Sequence, residues 1–594
     1  MWQRVAWLLP TGRNAVVPGG RVAEAAGAST ASRFAGWCSE LPARHRAQPF
    51  LLALPPLLLA AWVWHPLVDN YFYEDDFINL FQICTRPLTE YLFEPHGGHL
   101  YLLRNSVFYA FARLFGTNAH AYFTVVWLVH LGNVALLFRA LERFTGSAWI
   151  ASACATLFGT CPAVEGTLGW YSVFGHALAG TMLLLILADV ASLRSRGLVP
   201  GRVRQSVWAM LALSGMISFG VGVGIAAALP IALMLLLPRP AGRWLPPLWP
   251  LLLAVPTLYF ALSWIAARWG PPTEVVGQAR ALTGIAAVPV SAVLELWVGL
   301  IAYGIDCLLA GPVPLPKYPS LPGVLVAAGF TALVLWGALR AHDFARRLLL
   351  AAVVLTLACY GTIAAGRVQL MGLVGIANFV AQARYYYVGV LTLAVALGAI
   401  LMALAAAVPA LSLVRGRVLV AWLALWWSFF WVWPIQIDHH DAARSDVYFL
   451  LAWMRSLARE TPEDQNVYIM NQRFRGVTWL FSSGRDFPGW AGLFAIYFPD
   501  PTIDGRRVFF VESDASVRAA HKTARRLAGA MVAPEDVPPR PDPFTPLKGI
   551  CPVPAGALES GRASTVPATT PANTRSPLEW LPGGSDANGL AESP

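Results

Sequence analysis

The strongest constraint on this chain is a run of about 20 residues, 49–68, with no Asp, Glu, Lys or Arg, the length a helix needs to cross a bilayer. Ten further apolar runs are read in the same way. They cover 119–138, 147–160, 174–190, two helices within 207–237 split at Ser218 to Gly224, then 248–267, 321–339, 348–365, 385–404 and 418–433. Only 13% of the residues are charged, about half the share usual in soluble domains, and mean hydropathy is +0.55. The expected fold is therefore an all-α polytopic membrane bundle of about 11 transmembrane helices.

Charge sets the phase of the spans. Arginines gather between alternate runs, at Arg139 and Arg143, at Arg194, Arg196, Arg202 and Arg204, at Arg239 and Arg243, at Arg340, Arg346 and Arg347, and at Arg415 and Arg417. Loops of this kind are retained on the cytoplasmic side. A net charge of +10 distributed in this manner is a topology signal, and it gives no footprint for nucleic acid. It puts the N-terminus in the cytoplasm and the C-terminus outside, in a multi-pass protein of the bacterial inner (plasma) membrane. The apolar stretch 286–309 contains Glu295 and Asp306, and a crossing there would put Arg340, Arg346 and Arg347 outside. A re-entrant or interfacial helix is expected instead.

Four regions follow. Residues 1–48 carry six arginines among Gly, Ala and Ser, with no convincing signal peptide, and read as a loosely ordered cytoplasmic arm. Residues 49–434 are the membrane domain. Residues 435–533 have the composition of a small extracytoplasmic α/β module, with a helix over 445–460 and strands over 466–471 and 507–512. Residues 534–594 hold 13 prolines and too little apolar surface to offset ordering entropy, so a disordered tail is expected.

The first outer loop, 69–118, carries the most chemistry. It opens on Tyr71-Phe72-Tyr73-Glu74-Asp75-Asp76-Phe77, three consecutive carboxylates at a bilayer exit, which are costly there without a partner or a task. Adjacent Asp75 and Asp76 point in different directions, so one can act as a base while the other orients; the bland alternative is an acidic turn paired with Arg86 or Arg104. Leu100 to Phe115 has apolar residues at helical spacing and reads as an interfacial helix. Glu94, His96 and His99 share this loop, Glu165 and His176 border the second, and Arg367 and Arg384 border the last. Carboxylates beside arginines at one level suit a lipid phosphate, whose oxygens Arg binds bidentately. His96 and His99 with Asp76 are candidate ligands for a divalent cation. Gly220, Gly222 and Gly224 lie inside a membrane segment and read as close helix packing rather than a nucleotide loop. Cys154 and Cys161 read as small buried hydrophobes.

The acidic pair in the first outer loop, Pro162-Ala163-Val164-Glu165 with Trp170, and Arg384-Tyr385-Tyr386-Tyr387 opening a late helix together resemble the GT-C superfamily of polyprenyl-phosphate-dependent glycosyltransferases. They look similar to its protein O-mannosyltransferase-like branch, over about residues 50 to 434. The resemblance implies a GT-C membrane domain and transfer of a sugar from a polyprenyl-phosphate donor to an acceptor hydroxyl of a protein, lipid or glycan. It implies Asp75 or Asp76 as the catalytic base and Arg384 at the donor phosphate; Glu74, His96, His99, Glu165, Arg367 and Tyr385, read on the same outer face, are the further substrate-binding candidates. Cys161, where related sequences often carry His, and Phe174-Gly175-His176, in place of an Arg-plus-acid pattern, depart from the family. Two other classes fit the same chain: a transporter or flippase of an envelope glycolipid, and a non-catalytic assembly subunit.

Overall fold

The computed structural model describes residues 48–72, 76, 79–80, 82–83, 87–93, 95–96, 99–116, 118–238, 249–269, 289–309, 320–368 and 375–408, single positions between 417 and 425, and the segments 467–470 and 508–511. The N-terminal arm, the Pro-rich tail, the 445–460 helix, and Glu74, Asp75, Arg86 and Glu94 lie outside these residues, as does most of 418–433.

Helix follows helix along the described chain. α1 is Gln48–Trp64, running on through a 3-10 turn to Asp69; α2 is Leu88–Phe93, and α3 is Leu102–Phe115. Then come α4 (Ala119–Thr145), α5 (Ala148–Gly159), the short α6 (Glu165–Leu168), α7 (Gly175–Ser195), α8 (Arg202–Met216), α9 (Val221–Leu236) and α10 (Trp249–Trp269). The series ends with α11 (Val290–Leu309), α12 (Leu321–Arg340), α13 (Asp343–Arg367), α14 (Ile376–Val380) and α15 (Tyr387–Ala407). Among the described residues seven helices are long and apolar enough to cross a membrane, and shorter apolar helices lie at Ala148–Gly159, Val221–Leu236 and Ala254–Ala266. The chain is a multi-pass membrane protein.

Two small antiparallel and parallel pairs complete the backbone. β1 (Pro95–His96) and β2 (His99–Leu100) pair antiparallel, with His96 opposite His99. β3 (Val467–Met470) and β4 (Val508–Val511) pair in parallel. The latter fall within 466–471 and 507–512, where the sequence is read as strands.

Local chemistry explains the boundaries. Gly146 ends α4 in the left-handed conformation, at φ 67°, which a residue with a Cβ adopts at a cost. Ser147 then caps α5, its hydroxyl accepting from the Ile150 amide at 3.4 Å. Pro55 and Pro56 in α1, Pro230 in α9 and Pro256 in α10 sit inside helices, as membrane segments tolerate where neighbours cover the freed backbone.

α15 is buried on nearly every side and forms the axis of the bundle. It packs on α13, α5, α7 and α11, while α9 lies along α13 and α4 along α5 and α7. Just inside the first turn of α15 a polar knot joins five helices. The Trp64 indole donates to Gly159 O at 2.7 Å and His130 Nε2 meets the same oxygen at 3.0 Å. An oxygen acceptor at Nε2 fixes the proton there, so Nδ1 accepts from the Tyr387 hydroxyl at 2.9 Å, and Asn133 donates to Tyr387 Oη and to Ala177 O. Every polar group of the knot is thus used.

The segment expected as a re-entrant or interfacial helix is α11, one continuous apolar helix over Val290–Leu309 of a length that could cross a membrane. Glu295 lies on an exposed face, and Asp306 is near the last turn, beside the first turn of α12 at Gly323, where helix amides favour negative charge. The two ends of the bundle are chemically distinct. One gathers the loop after α1, the turn 161–174 and the start of α15; at the other, Arg194 of α7 lies over the Phe344 ring of α13.

Candidate active site

The turn between α5 and α7 is the meeting point. Pro162 opens a 3-10 turn, α6 follows, and a second 3-10 turn, Tyr171–Val173, leads into α7. These tight turns expose backbone amides and carbonyls that α-helices would consume. The loop after α1 docks on them. Asn70 donates from Nδ2 to Gly169 O at 2.7 Å and accepts the Tyr71 amide at 2.9 Å.

Ser172 is the hub of the first cluster. Its amide donates to Asp76 Oδ1 at 2.6 Å, and its hydroxyl donates to the same oxygen. The hydroxyl also accepts from Asn79 Nδ2 at 3.2 Å, and its carbonyl accepts from Arg104 Nη1 at 3.0 Å. Arg104 Nη2 reaches Asn79 Oδ1 at 3.1 Å and Nε reaches Asn105 Oδ1 at 3.0 Å, while Asn105 holds Tyr91 O. Asp76 is fully buried and Arg104 nearly so. One buried carboxylate and one buried guanidinium are therefore held on opposite sides of a single serine, with hydrogen bonds compensating their loss of water.

The second cluster is built on Gly166. A Cβ there would run into the backbone of Ala383 and Arg384, so only glycine lets the two segments touch. Thr167 Oγ1 donates to Arg384 O at 3.2 Å. The Arg384 guanidinium lies 5.1 Å from the Trp170 ring centroid and 5.2 Å from that of Tyr385, and Gln382 Oε1 accepts from its Nε and Nη2 at 3.1 and 2.7 Å. Stacked between rings and steered by an amide, the planar fork is aimed rather than free. The Glu165 carboxylate lies beside Gly169 and Asn70, and so on the same turn.

Tyr101 joins the clusters. Its ring stacks on Phe219 at 4.9 Å and lies 4.8 Å from the Arg104 guanidinium carbon. Burial pushes its phenol pKa up, while the positive charge of Arg367 and then Arg104 pulls the other way. Tyr101 is thus a neutral hydroxyl next to the arginine that ends α13. Cys161 behaves as an apolar group: its Sγ is 3.5 Å from Cys307 O, and burial pushes the thiol up to about 12. His176 is buried with its ring 4.0 Å from that of Phe219.

Of the residues singled out in the sequence, Asp76 belongs to the first cluster, Glu165, Arg384 and Tyr385 to the second, and Arg367 acts on Tyr101 between them. Arg104, expected on an interfacial helix, is turned inward and fixed on Ser172. Asn70, Asn79, Tyr101, Asn105 and Ser172 had no distinguishing pattern in the sequence. Asp75 and Glu74 are outside the described residues, and among those described no group of three or more His, Cys, Asp or Glu is placed to hold a metal ion. Compared with protein-family models, curated proteins and solved structures, the chain matches none.

Proposed function

We propose that this chain is an integral membrane glycosyltransferase of the GT-C type, moving a sugar from a polyprenyl-phosphate donor to an acceptor hydroxyl on the extracytoplasmic face. The supporting observation is the packing of three segments far apart in sequence: the acidic loop after α1 against Gly169 and Ser172, and the Gln382–Tyr387 segment against Gly166 and Trp170. In this reading about eleven spans carry the site, the N-terminus is cytoplasmic, and residues 435–533 form a small α/β module on the acceptor side.

The chemistry assigns separate tasks to the acidic residues. Asp76, already accepting two hydrogen bonds from Ser172, anchors the loop, and Asp75 beside it takes the proton of the acceptor hydroxyl. The acceptor oxygen attacks the anomeric carbon as the bond to the lipid phosphate breaks, inverting that carbon, and the phosphate leaves with the electron pair. Arg384 and Arg367 hold the phosphate oxygens, and nearby carboxylates stabilise the oxocarbenium-like transition state. A divalent cation, if used, would draw on His96 and His99.

Transfer of labelled sugar from a polyprenyl-phosphate donor by the purified chain tests the reading. Asp75→Asn and Arg384→Gln should each lower the rate by about 10²-fold or more, in line with loss of a general base or a charge clamp. Full activity in Asp75→Asn, Asp76→Asn and the double variant would falsify the assignment. One observation favours the flippase alternative: Asp306, 2% exposed within α11, has no hydrogen-bond partner for either oxygen among the described residues. Intramembrane carboxylates often serve coupled transport. Asp306→Asn should leave sugar transfer intact in a transferase and abolish lipid movement in a proton-coupled flippase.

A further inference from the structure

At the end of the bundle away from the acidic site, α4, α7 and α13 bring guanidinium groups together around two phenylalanines. Phe344 in the first turn of α13 lies 6.1 Å from Phe144 near the end of α4. The Arg194 guanidinium carbon sits 3.4 Å from the Phe344 ring centroid and that of Arg347 5.9 Å from it, close enough for the two cations to repel. Arg143 reaches across to Ala188 O of α7 at 3.5 Å.

The carboxylates on this end are too few and already engaged. Asp343 takes Arg347 at 3.1 Å and Arg346 at 3.6 Å, Glu142 takes Arg139 at 2.9 Å, and Asp189 takes Arg204 at 3.2 Å and the Trp208 indole at 3.0 Å. Among the described residues Arg143 and Arg194 make no close ion pair, with Glu142 and Asp189 acting on the first and Asp343 on the second only at longer range, and the buried Nε of Arg347 has no hydrogen-bond partner. Half-buried cations that repel one another at the rim of apolar helices are destabilising unless an anion joins them. A phospholipid head group supplies such an anion at a membrane surface.

We propose that Arg194 and Arg347, with Arg143 beside them, form a binding site for the phosphodiester head group of an anionic phospholipid. The site is independent of the glycosyltransferase reading. A head group there ties α7 to α13, two helices that otherwise meet at this end through Arg194 and Phe344.

The full-length chain in detergent is titrated with phosphatidylglycerol or phosphatidylcholine while native mass spectrometry counts bound lipid. The wild type should bind the anionic lipid roughly tenfold or more tightly than the zwitterionic one, since each arginine near the surface contributes about a factor of five. Arg194→Gln with Arg347→Gln should erase the preference, and Arg202→Gln, an exposed arginine outside the cluster, should retain it. Equal binding of both lipids by the wild type overturns the proposal even where the double variant proves too unstable to purify. So does an unchanged preference in that variant. Displacement of the lipid by inorganic phosphate alone would make this a free-phosphate site and would also overturn it.

Discussion

At the scale of single residues, Ser172 and Asp76 separate architecture from chemistry. Asp76 Oδ1 accepts both the amide and the hydroxyl of Ser172, so a side chain that keeps an oxygen there preserves the turn and one that lacks it does not. Asp76→Ala should lower unfolding stability by about 1–3 kcal/mol per buried donor left unmade, with a clear drop in melting temperature in detergent. Asp76→Asn keeps an acceptor for the Ser172 amide and should melt much closer to the wild type. Equal losses of stability in the two variants would show that the oxygen contributes little. The same residues mark the limit of sequence reading. Carboxylates and arginines at bilayer exits stand out because they are expensive there, which is how Asp76, Glu165, Arg367 and Arg384 become legible. Ser172, Asn79 and Asn105 are ordinary small polar residues, and only the folded turn gives them partners.

At the scale of elements, apolar runs locate the helices well because a bilayer leaves few alternatives for the backbone. In α11 the cost of the two acids depends on where each charge ends up. Glu295 is exposed and Asp306 lies against the start of α12. Glycines tell a complementary story. The Gly220, Gly222 and Gly224 series reads as helix packing, and a Cβ at Gly224 would collide with Ala358 O and Thr362 Oγ1 of α13, as one at Gly222 would with Gly215 O of α8. Gly224→Ala should therefore wedge α9 from α13 and cost about 1–3 kcal/mol, seen as a lower melting temperature. Gly132→Ala in α4 meets nothing within 4 Å and should be neutral or stabilising by up to about 1 kcal/mol, through better helix propensity. Matching losses at both positions would mean that close packing is not the cause.

At the scale of the whole molecule, the two chemically distinct ends make a prediction about sidedness. Arg194 over Phe344 puts the loop after α7 and the start of α13 at one end, while Arg384 beside Trp170 and Cys161 beside Cys307 put Gln382 and the end of α11 at the other. Arginine-rich ends remain cytoplasmic during insertion, since moving several guanidinium groups across the bilayer is strongly disfavoured. Cys154, Cys161, Cys307 and Cys359 are buried, so once Cys38, Cys84 and Cys551 are replaced by Ser the chain offers a quiet background for labelling. Cysteines introduced at exposed Leu198 and His342 should be shielded from a membrane-impermeant maleimide in intact cells and react after lysis. One introduced at exposed Ala381 should react in intact cells. Labelling of all three from the same side would break the bundle into a different topology and would detach Arg384 from the face on which the proposed acceptor arrives. The opposite pattern, with Leu198 and His342 outside, would keep the fold but place the acidic site in the cytoplasm, where the proposed extracytoplasmic transfer fails.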